Sequence, residues 1–433
     1  MSNRKEFNKK VFTVKLVLIL LVGIVLGVSC LFSKQIENLI GIGENEGNFV
    51  SKEVIENSKL SVHYIDVGQG DSTLICLPDG KTMLIDAGKG SASDEVINYL
   101  NALEIETIDY FVATHSDDDH VGGAKAVFDE FEIKRVYRPF QIAVGSDGQP
   151  TEYEMLGDYA DDSGLNCNKA TENVYEDFIE AAYTEKYVEG GTTYDAEVWC
   201  FYDGIVLNSS NTEAYTIEFF APLKVSGYSS FDYATTKTMG YPTKSYSSHS
   251  DNNASPVILL EYNNASFMFT GDASYHVEED FIASLETQEE ARFRNIDVFQ
   301  AGHHGSNTSN SQELLELITP TYVVASCGKN NSYGHPGTEF VERLEGLPHS
   351  VNDYLLVTAE IGNVIFGFQE DGSLAYTALE AGASGTIIYW WQIAVGAFVV
   401  ISLIIICVKV TTNKAATAKR VVSTTKRVTR KFR

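Results

Sequence analysis

Four side chains able to ligate a metal, His115, Asp117, Asp119 and His120, fall within six residues just after a short apolar run. A loop can turn all four toward one point, and imidazole with carboxylate suits zinc, manganese or iron. Asp117-Asp118-Asp119 alone would read as a solvated acidic loop. The bracketing histidines and Gly122-Gly123 favour ligation instead. Asp272 closes another apolar run, where a carboxylate either bridges metals or caps the next helix. His303 and His304 also follow an apolar run. On an extended chain neighbouring side chains point opposite ways, so one of the pair is expected to face a metal and the other to orient a ligand or substrate. His335, between Gly334 and Pro336, is placed to contact substrate or protonate a leaving group, unless it is only a turn histidine. Asp119 and His335 are the candidates for a catalytic part. Asp71 and Asp86 are acids expected to orient ligands from behind, the alternative being turn acids. His63, His276 and His349 lack such neighbours and read as structural.

Mixed strands and helices must position these groups. The spacing predicts strands over Leu60–Asp66, Ser72–Leu77 and Lys81–Asp86, a helix near Asp94–Leu103, and a buried strand over Ile108–Ala113 that stops at the first histidine. A helix over Val121–Phe131 and a strand over Ile133–Arg138 follow. Residues 139–250, rich in Tyr, Asp, Gly, Ser and Asn, break the rhythm. They are expected to be mostly surface loops, with one helix (Ala170–Tyr183) and one strand (Tyr215–Ala221). Order returns with strands over Val257–Tyr262 and Phe267–Thr270 joined by a tight Asn263-Asn264 turn. Further strands are expected over Ile296–Ala301 and Tyr322–Cys327, with helices over Gln312–Ile318 and Glu339–Leu344. Tyr354–Thr358 and Asn363–Phe368 are expected to pair as a hairpin. Polar clusters at strand ends, in such an alternation, indicate an αββα sandwich.

The charge is unevenly spread. The chain carries −27 in total, but residues 1–15 hold +4 and residues 409–433 hold +9, leaving −40 between them. A domain that acidic does not attract nucleic acid through bulk charge. Two apolar runs separate the basic ends: Leu16–Phe32, and Thr386–Val408 with Tyr389-Trp390-Trp391 near its start. Each is expected to be a transmembrane helix, a cleaved signal peptide being the alternative for the first. A faint lipoprotein-type pattern, Gly27-Val-Ser-Cys30, lies within that run. The basic ends 1–15 and 409–433 are then cytoplasmic and the central domain extracytoplasmic. The expected organisation is a linker over 33–58, a folded domain over 59–370 with the 139–250 insert, and a second linker over 371–385. Cys76 and Cys327 read as buried thiols, while Cys167 and Cys200 could form a disulfide outside the cell.

Six motifs now stand in order: Asp66-Val-Gly-Gln-Gly-Asp71-Ser, Leu84-Ile-Asp-Ala-Gly88, Thr114-His-Ser-Asp-Asp-Asp-His-Val-Gly-Gly123, Phe269-Thr-Gly-Asp272, Gly302-His-His-Gly-Ser306 and Lys329-Asn-Asn-Ser-Tyr-Gly-His-Pro336. Over Leu60–Phe368 the chain resembles the metallo-β-lactamase superfamily, and more specifically the extracellular metallo-hydrolase domain of ComEC/Rec2-type competence proteins. The resemblance implies an αββα metallo-β-lactamase sandwich, here flanked by two transmembrane helices, and a centre of one or two divalent metal ions, Zn or Mn. His115 and Asp117 would hold one ion and Asp119 and His120 the other. Asp272 would bridge, and one of His303/His304 would complete the set. Asp117 stands where the superfamily's HxHxDH run has a second histidine. The third-motif histidine has no clear match, Asn252, Asn253 and His249 being nearest. The many membrane helices of the competence channel are absent, so DNA import by this chain alone is not implied.

The function expected is a membrane-anchored metal-dependent hydrolase, a phosphodiesterase or nuclease using metal-activated water. A cell-wall or teichoic-acid ester hydrolase and a non-catalytic surface binding module are the alternatives.

Overall fold

A computed structural model describes residues 58–157, 167–170, 173–209, 214–246, 251–347, 355–369 and 372–379. The apolar runs 16–32 and 386–408, the basic ends, His249 and His349 lie outside the described residues. Among the described residues no helix is long and apolar enough to cross a membrane.

Two sheets form the centre. The first contains β1 (Ser61–Tyr64), β2 (Thr73–Cys76), β3 (Thr82–Ile85), β4 (Tyr110–Val112), β5 (Arg135–Arg138) and β6 (Glu197–Cys200). The second contains β7 (Val206–Asn208), β8 (Tyr215–Ala221), β9 (Val257–Tyr262), β10 (Ala265–Phe269), β11 (Val298–Gln300), β12 (Tyr322–Ala325) and β13 (Leu355–Val357). The chain then returns to the first sheet through β14 (Asn363–Phe368) and β15 (Leu374–Leu379). The strand order is β6-β5-β4-β3-β2-β1-β14-β15 in the first sheet and β7-β8-β9-β10-β11-β12-β13 in the second. β3 to β6 run parallel, as do β10 to β13.

Side chains alternate across each strand, and both faces are covered, so strands read as continuous apolar runs. Met83 and Ile85 of β3, Ile258 and Leu260 of β9, and Phe267 and Phe269 of β10 meet in the core between the sheets. Leu84 and Phe111 face outward, toward helices α1 (Ser93–Ala102), α3 (Ala124–Glu130) and α4 (Asn173–Thr184). A single turn, α2 (Asp118–Val121), precedes α3. Leu259, Met268, Phe299 and Val323 face the other way, against α5 (Tyr275–Ser284), α6 (Gln312–Ile318) and α7 (Thr338–Glu345). Three apolar layers thus lie in a helix–sheet–sheet–helix stack, the αββα sandwich expected.

Several expectations need correction. The 139–250 segment contains the expected strand, β8, and the expected helix, α4, but also more: β6 extends the first sheet and β7 the second. The helix begins at Asn173, and Ala170 instead ends a short strand, Asn168–Ala170. The Val121–Phe131 helix is divided into α2 and α3. The expected hairpin of Tyr354–Thr358 with Asn363–Phe368 does not form. Its halves belong to different sheets, and β14 pairs with β1 and β15. The 371–385 linker therefore contains a strand. Cys167 and Cys200 are free thiols rather than a disulfide, turned toward the carbonyls of Phe140 and Pro139. Cys327 is buried as expected, while Cys76 is partly so.

The 139–250 segment is pinned by a buried ion pair. Arg138 and Glu154 are both fully buried at the side chain and meet at 2.9 Å. Glu154 also accepts from Ala143 N and Leu156 N, and Arg138 donates to Tyr183 and to the carbonyl of Gln141. Removing one partner leaves the other buried and uncompensated, at a cost of about 3–5 kcal/mol. Glu154→Ala should lower the denaturant midpoint accordingly, and the paired apolar variant Arg138→Met/Glu154→Leu should recover most of the loss. An unchanged midpoint for the single variant would show that water reaches the pair.

Candidate metal centre

The site is assembled where strands of both sheets end. Parallel strands deliver their C-terminal ends to one edge, and loops leaving that edge converge. From the first sheet, the loop after β1 carries Asp71, the end of β3 gives Asp86, and β4 leads to His115. From the second, β10 leads to Asp272 and β11 to His303 and His304.

Local backbone geometry presses these loops together. Gly70 has φ +144°, and any side chain there would run into the backbone carbonyl of Asp119. That close approach lets Asp71 N donate to Asp119 O at 3.1 Å. Gly271 has φ +48°, and its missing Cβ leaves room for Thr114. Asp86 itself sits at φ +58°, in the left-handed region that non-glycine residues rarely occupy. Its Oδ1 accepts from Thr114 N (2.8 Å), and its Oδ2 accepts from Thr114 Oγ1 and lies 2.7 Å from His120 Nδ1. A carboxylate only accepts, so His120 Nδ1 carries the proton and Nε2 is turned to Asp272 Oδ1, 3.2 Å away.

Asp272 is the hub. Its Oδ2 lies 3.8 Å from His115 Nε2, 3.6 Å from His303 Nε2 and 3.7 Å from His304 Nε2. Its backbone N donates to Ser255 Oγ, which also lies 3.4 Å from His115 Nδ1. Asp117 approaches His115 at 3.6 Å, and although it occupies the N-cap of α2 its side chain makes no capping bond. Asp119 and Asp71 approach His304 at 3.5 and 3.4 Å.

The expected opposition of His303 and His304 does not hold. The chain is not extended there: both residues take left-handed backbone (φ 52° and 56°) inside a tight Gly302–Gly305 turn. Both rings therefore reach Asp272, His304 buried and His303 partly open. Asp71 is also more central than a supporting acid. Asp71, His120, Asp272 and His304 each place one ligand atom within 4.8 Å of the others, a buried group able to hold a metal. His115, Asp117, Asp119 and His303 surround it. The place beside Asp272 and His303 is taken by Asn252, whose Nδ2 lies 3.3 Å from Asp272 Oδ2 and from His303 Nδ1. Asn253 turns away to Ser274. His335 lies at the rim, its ring 5.4 Å from that of His303 and 5.9 Å from that of His304. His63 is structural as expected, held between Tyr99 and Ser61. His276 packs on Tyr275 away from the cluster. Sequence reasoning missed Ser255 and also Gln141, which links Ser116 to Asp251 at 3.3 and 3.0 Å. Neither carries a local signal.

The donor set fits a cation. Among the described residues, both oxygens of Asp71, Nε2 of His115 and His120, Oδ1 of Asp272 and both ring nitrogens of His304 are buried without a hydrogen-bond partner. Each such atom costs about 1–3 kcal/mol to leave unmet, and one shared cation would satisfy several of them at once. Without a cation, protons take its part. Burial opposes the charged form of His304, but Asp272 and Asp71 outweigh it and lift the imidazole to about 10. His120 is likewise raised against its burial by Asp272 and Asp86. Burial would raise Asp272, yet His120 and His304 hold it well below the usual carboxylate range. Burial and the neighbouring imidazoles His304 and His303 push His335 down to about 4.

Residues 65–205 and 234–329 match the family model described as the metallo-beta-lactamase superfamily, together more than half of the chain. This chain belongs to that superfamily. Within it the similarity runs to ComEC-type competence proteins. It is 23% identical over 332 residues to ComE operon protein 3 of Bacillus subtilis (strain 168), covering 72% of this chain and 34% of that protein. It is 25% identical over 315 residues to Recombination protein 2 of Haemophilus influenzae, covering 72% of this chain and 29% of that protein. The chain thus spans about a third of the length of these relatives. Among solved structures, the metallo-beta-lactamase fold protein YhfI from Bacillus subtilis aligns with 73% of this chain and 99% of its own, at 8% identity and TM-score 0.33.

The raised histidines set a pH signature. A folded value above the unfolded 6.5 gives stability that is complete below about pH 6.5 and lost as pH rises toward 10. Protein stripped by a chelator should therefore lose melting temperature steadily between pH 7 and 10, while zinc-loaded protein should not. Zinc binding at pH 7.5 should also release protons, read by calorimetry in buffers of different ionisation enthalpy. Parallel melting curves with and without metal would contradict the proton-for-metal exchange.

Proposed function

We propose that this chain is a metal-dependent hydrolase that cleaves phosphodiesters at the outer face of a membrane. The observation that carries the reading is the convergence of buried, unpartnered carboxylate oxygens and imidazole nitrogens on Asp272, beneath a partly open rim of Asp117, Asp119 and His303. Asp71, Asp119, His120, Asp272 and His304 would hold one cation, and His115, Asp117, Asp272 and His303 a second. Such cations supply Lewis acidity and activate water near neutral pH.

The chain's own residues do the rest. Asp86 holds His120 in one tautomer, and Ser255 with Asn252 holds Asp272 in place. His335, neutral at physiological pH, suits a hydrogen bond to substrate better than storage of a proton for the leaving group. Relatives named for competence and for recombination favour a nucleic-acid phosphodiester over a cell-wall ester or an antibiotic. The −40 of the central segment argues for local contacts rather than wrapping of a long polyanion. Anchoring rests on the apolar runs 16–32 and 386–408 with their basic flanks.

Purified protein should contain one or two equivalents of zinc or manganese by elemental mass spectrometry. It should hydrolyse bis-p-nitrophenyl phosphate and single-stranded DNA, but not a cephalosporin. Asp272→Asn should reduce turnover at least about 100-fold with the circular dichroism spectrum unchanged. No bound metal after reconstitution, and no turnover, would sink the hydrolase reading in favour of a surface binding module. Asp86→Asn, which keeps the shape but weakens the hold on His120, should lower metal affinity about 10–100-fold. Wild-type affinity in that variant would remove Asp86 from the site's support.

A further inference from the structure

Tyr333 is the most exposed large apolar side chain among the described residues, 65% accessible. A lone exposed aromatic needs no explanation, but this one is built in. Its ring lies nearly parallel to that of His335, centroids 5.7 Å apart and planes at 23°. His335 in turn touches His303 and His304. A chain of ring contacts therefore leads from solvent to the candidate metal centre in two steps, stacked at Tyr333–His335 and edge-on at His335–His303. The turn that carries it is pinned. Asn331 accepts from His335 N at 2.9 Å and donates to the carbonyls of His335 (2.7 Å) and Gly328 (3.0 Å). Gly337 N donates to Gly305 O at 2.8 Å, tying the turn to the two-histidine loop. A platform held this way loses little freedom on binding a ligand.

The loop on the far side of His303 is likewise tied to a helix end. Tyr275 is 46% accessible, and its backbone N donates to the carbonyl of Thr308, whose hydroxyl lies 3.3 Å from His303 Nδ1.

We propose that Tyr333 is a stacking platform for a nucleobase of single-stranded nucleic acid, which presents the adjoining phosphodiester, one sugar away, to the metal centre. The proposal rests on the phosphodiesterase reading and names its substrate class. A planar base can add to the Tyr333–His335 stack as a third ring, whereas a duplex keeps its base faces occupied. Stacking needs no positive charge, which suits a domain this acidic. Lys329 at the start of the same turn is exposed and offers one local cation to the strand.

The test compares oligothymidylate with an abasic deoxyribose-phosphate strand of the same length, using the full chain loaded with manganese. Wild type should show a KM about 5- to 100-fold lower for the base-bearing strand. In Tyr333→Ala that ratio should fall to about one, and in Tyr333→Phe it should persist. An equal KM for both strands in wild type, or an unchanged ratio in Tyr333→Ala, would overturn the proposal. If wild type cleaves neither strand, the phosphodiesterase reading fails by itself, and stacking is then read directly. Fluorescence at the new ring of Tyr333→Trp should be quenched by oligothymidylate and not by the abasic strand, and no difference between the two would overturn it.

Discussion

Three carboxylates, Asp71, Asp86 and Asp272, are buried within a few ångströms of His120 and His304, and the rest of the molecule is arranged around that concentration of charge. An ionised carboxylate taken out of water costs several kcal/mol unless it is matched. Asp86 is matched by three donors on the first sheet's side of the site. Asp272 has its backbone and one oxygen held by Ser255 and Asn252 from the second. The side-chain oxygens of Asp71 have no hydrogen-bonding partner. The gradient from satisfied to unsatisfied runs toward the middle of the cluster, as expected where the missing partner is a cation shared by several side chains. Structural carboxylates elsewhere in the chain look different. Glu154 meets Arg138 and two backbone amides, and Glu278 accepts from Asn310 N and Ser311 N.

Because the donors come from both sheets, their spacing depends on how the sheets are held. His115 follows β4 and Asp272 follows β10, and between those strands lies a core of Tyr64, Phe219, Phe267, Phe269 and Phe366. Large rings interlock, and a shift of one sheet against the other would disturb many contacts at once. The site is consequently set by the best-packed part of the domain, while its rim is made from turns. The two parts are separated physically: packing fixes the candidate ligands, and short hydrogen-bonded loops form the rim above them.

That separation also explains what the sequence discloses. Motifs in which an apolar run ends on a polar cluster, such as Ile108–Ala113 before His115 or Val257–Tyr262 turning at Asn263, are local, and their elements lie close to where periodicity puts them. Asn263 takes the left-handed conformation a tight turn requires. The paired histidines depart from extended geometry, and nothing in Gly-His-His-Gly announces two successive left-handed residues. Strand partners are harder still. Leu355–Val357 and Asn363–Phe368 look like two arms of a hairpin, yet the short helix Thr358–Ile361 between them carries the chain from one sheet to the other. Leu374–Leu379 forms a strand only because β14 offers it an edge.

The 139–250 segment shows how far an irregular composition can mislead. Its polar stretches suggest an appended loop region, but Arg138 and Glu154 lock its start against α4 through Tyr175 and Tyr183. Gln141, fully buried, then reaches Ser116 in the His115–His120 loop and Asp251 beside Asn252. One side chain thereby joins the ligands that follow β4 to the turn that supports Asp272. Ser116 is flanked by His115 and Asp117, so a loosened Gln141 would be felt on the His115 side before the His304 side. The segment is thus part of the scaffold that sets one half of the centre, and the buried ion pair at its root is the means by which a polar, loop-rich stretch acquires a defined place in the fold.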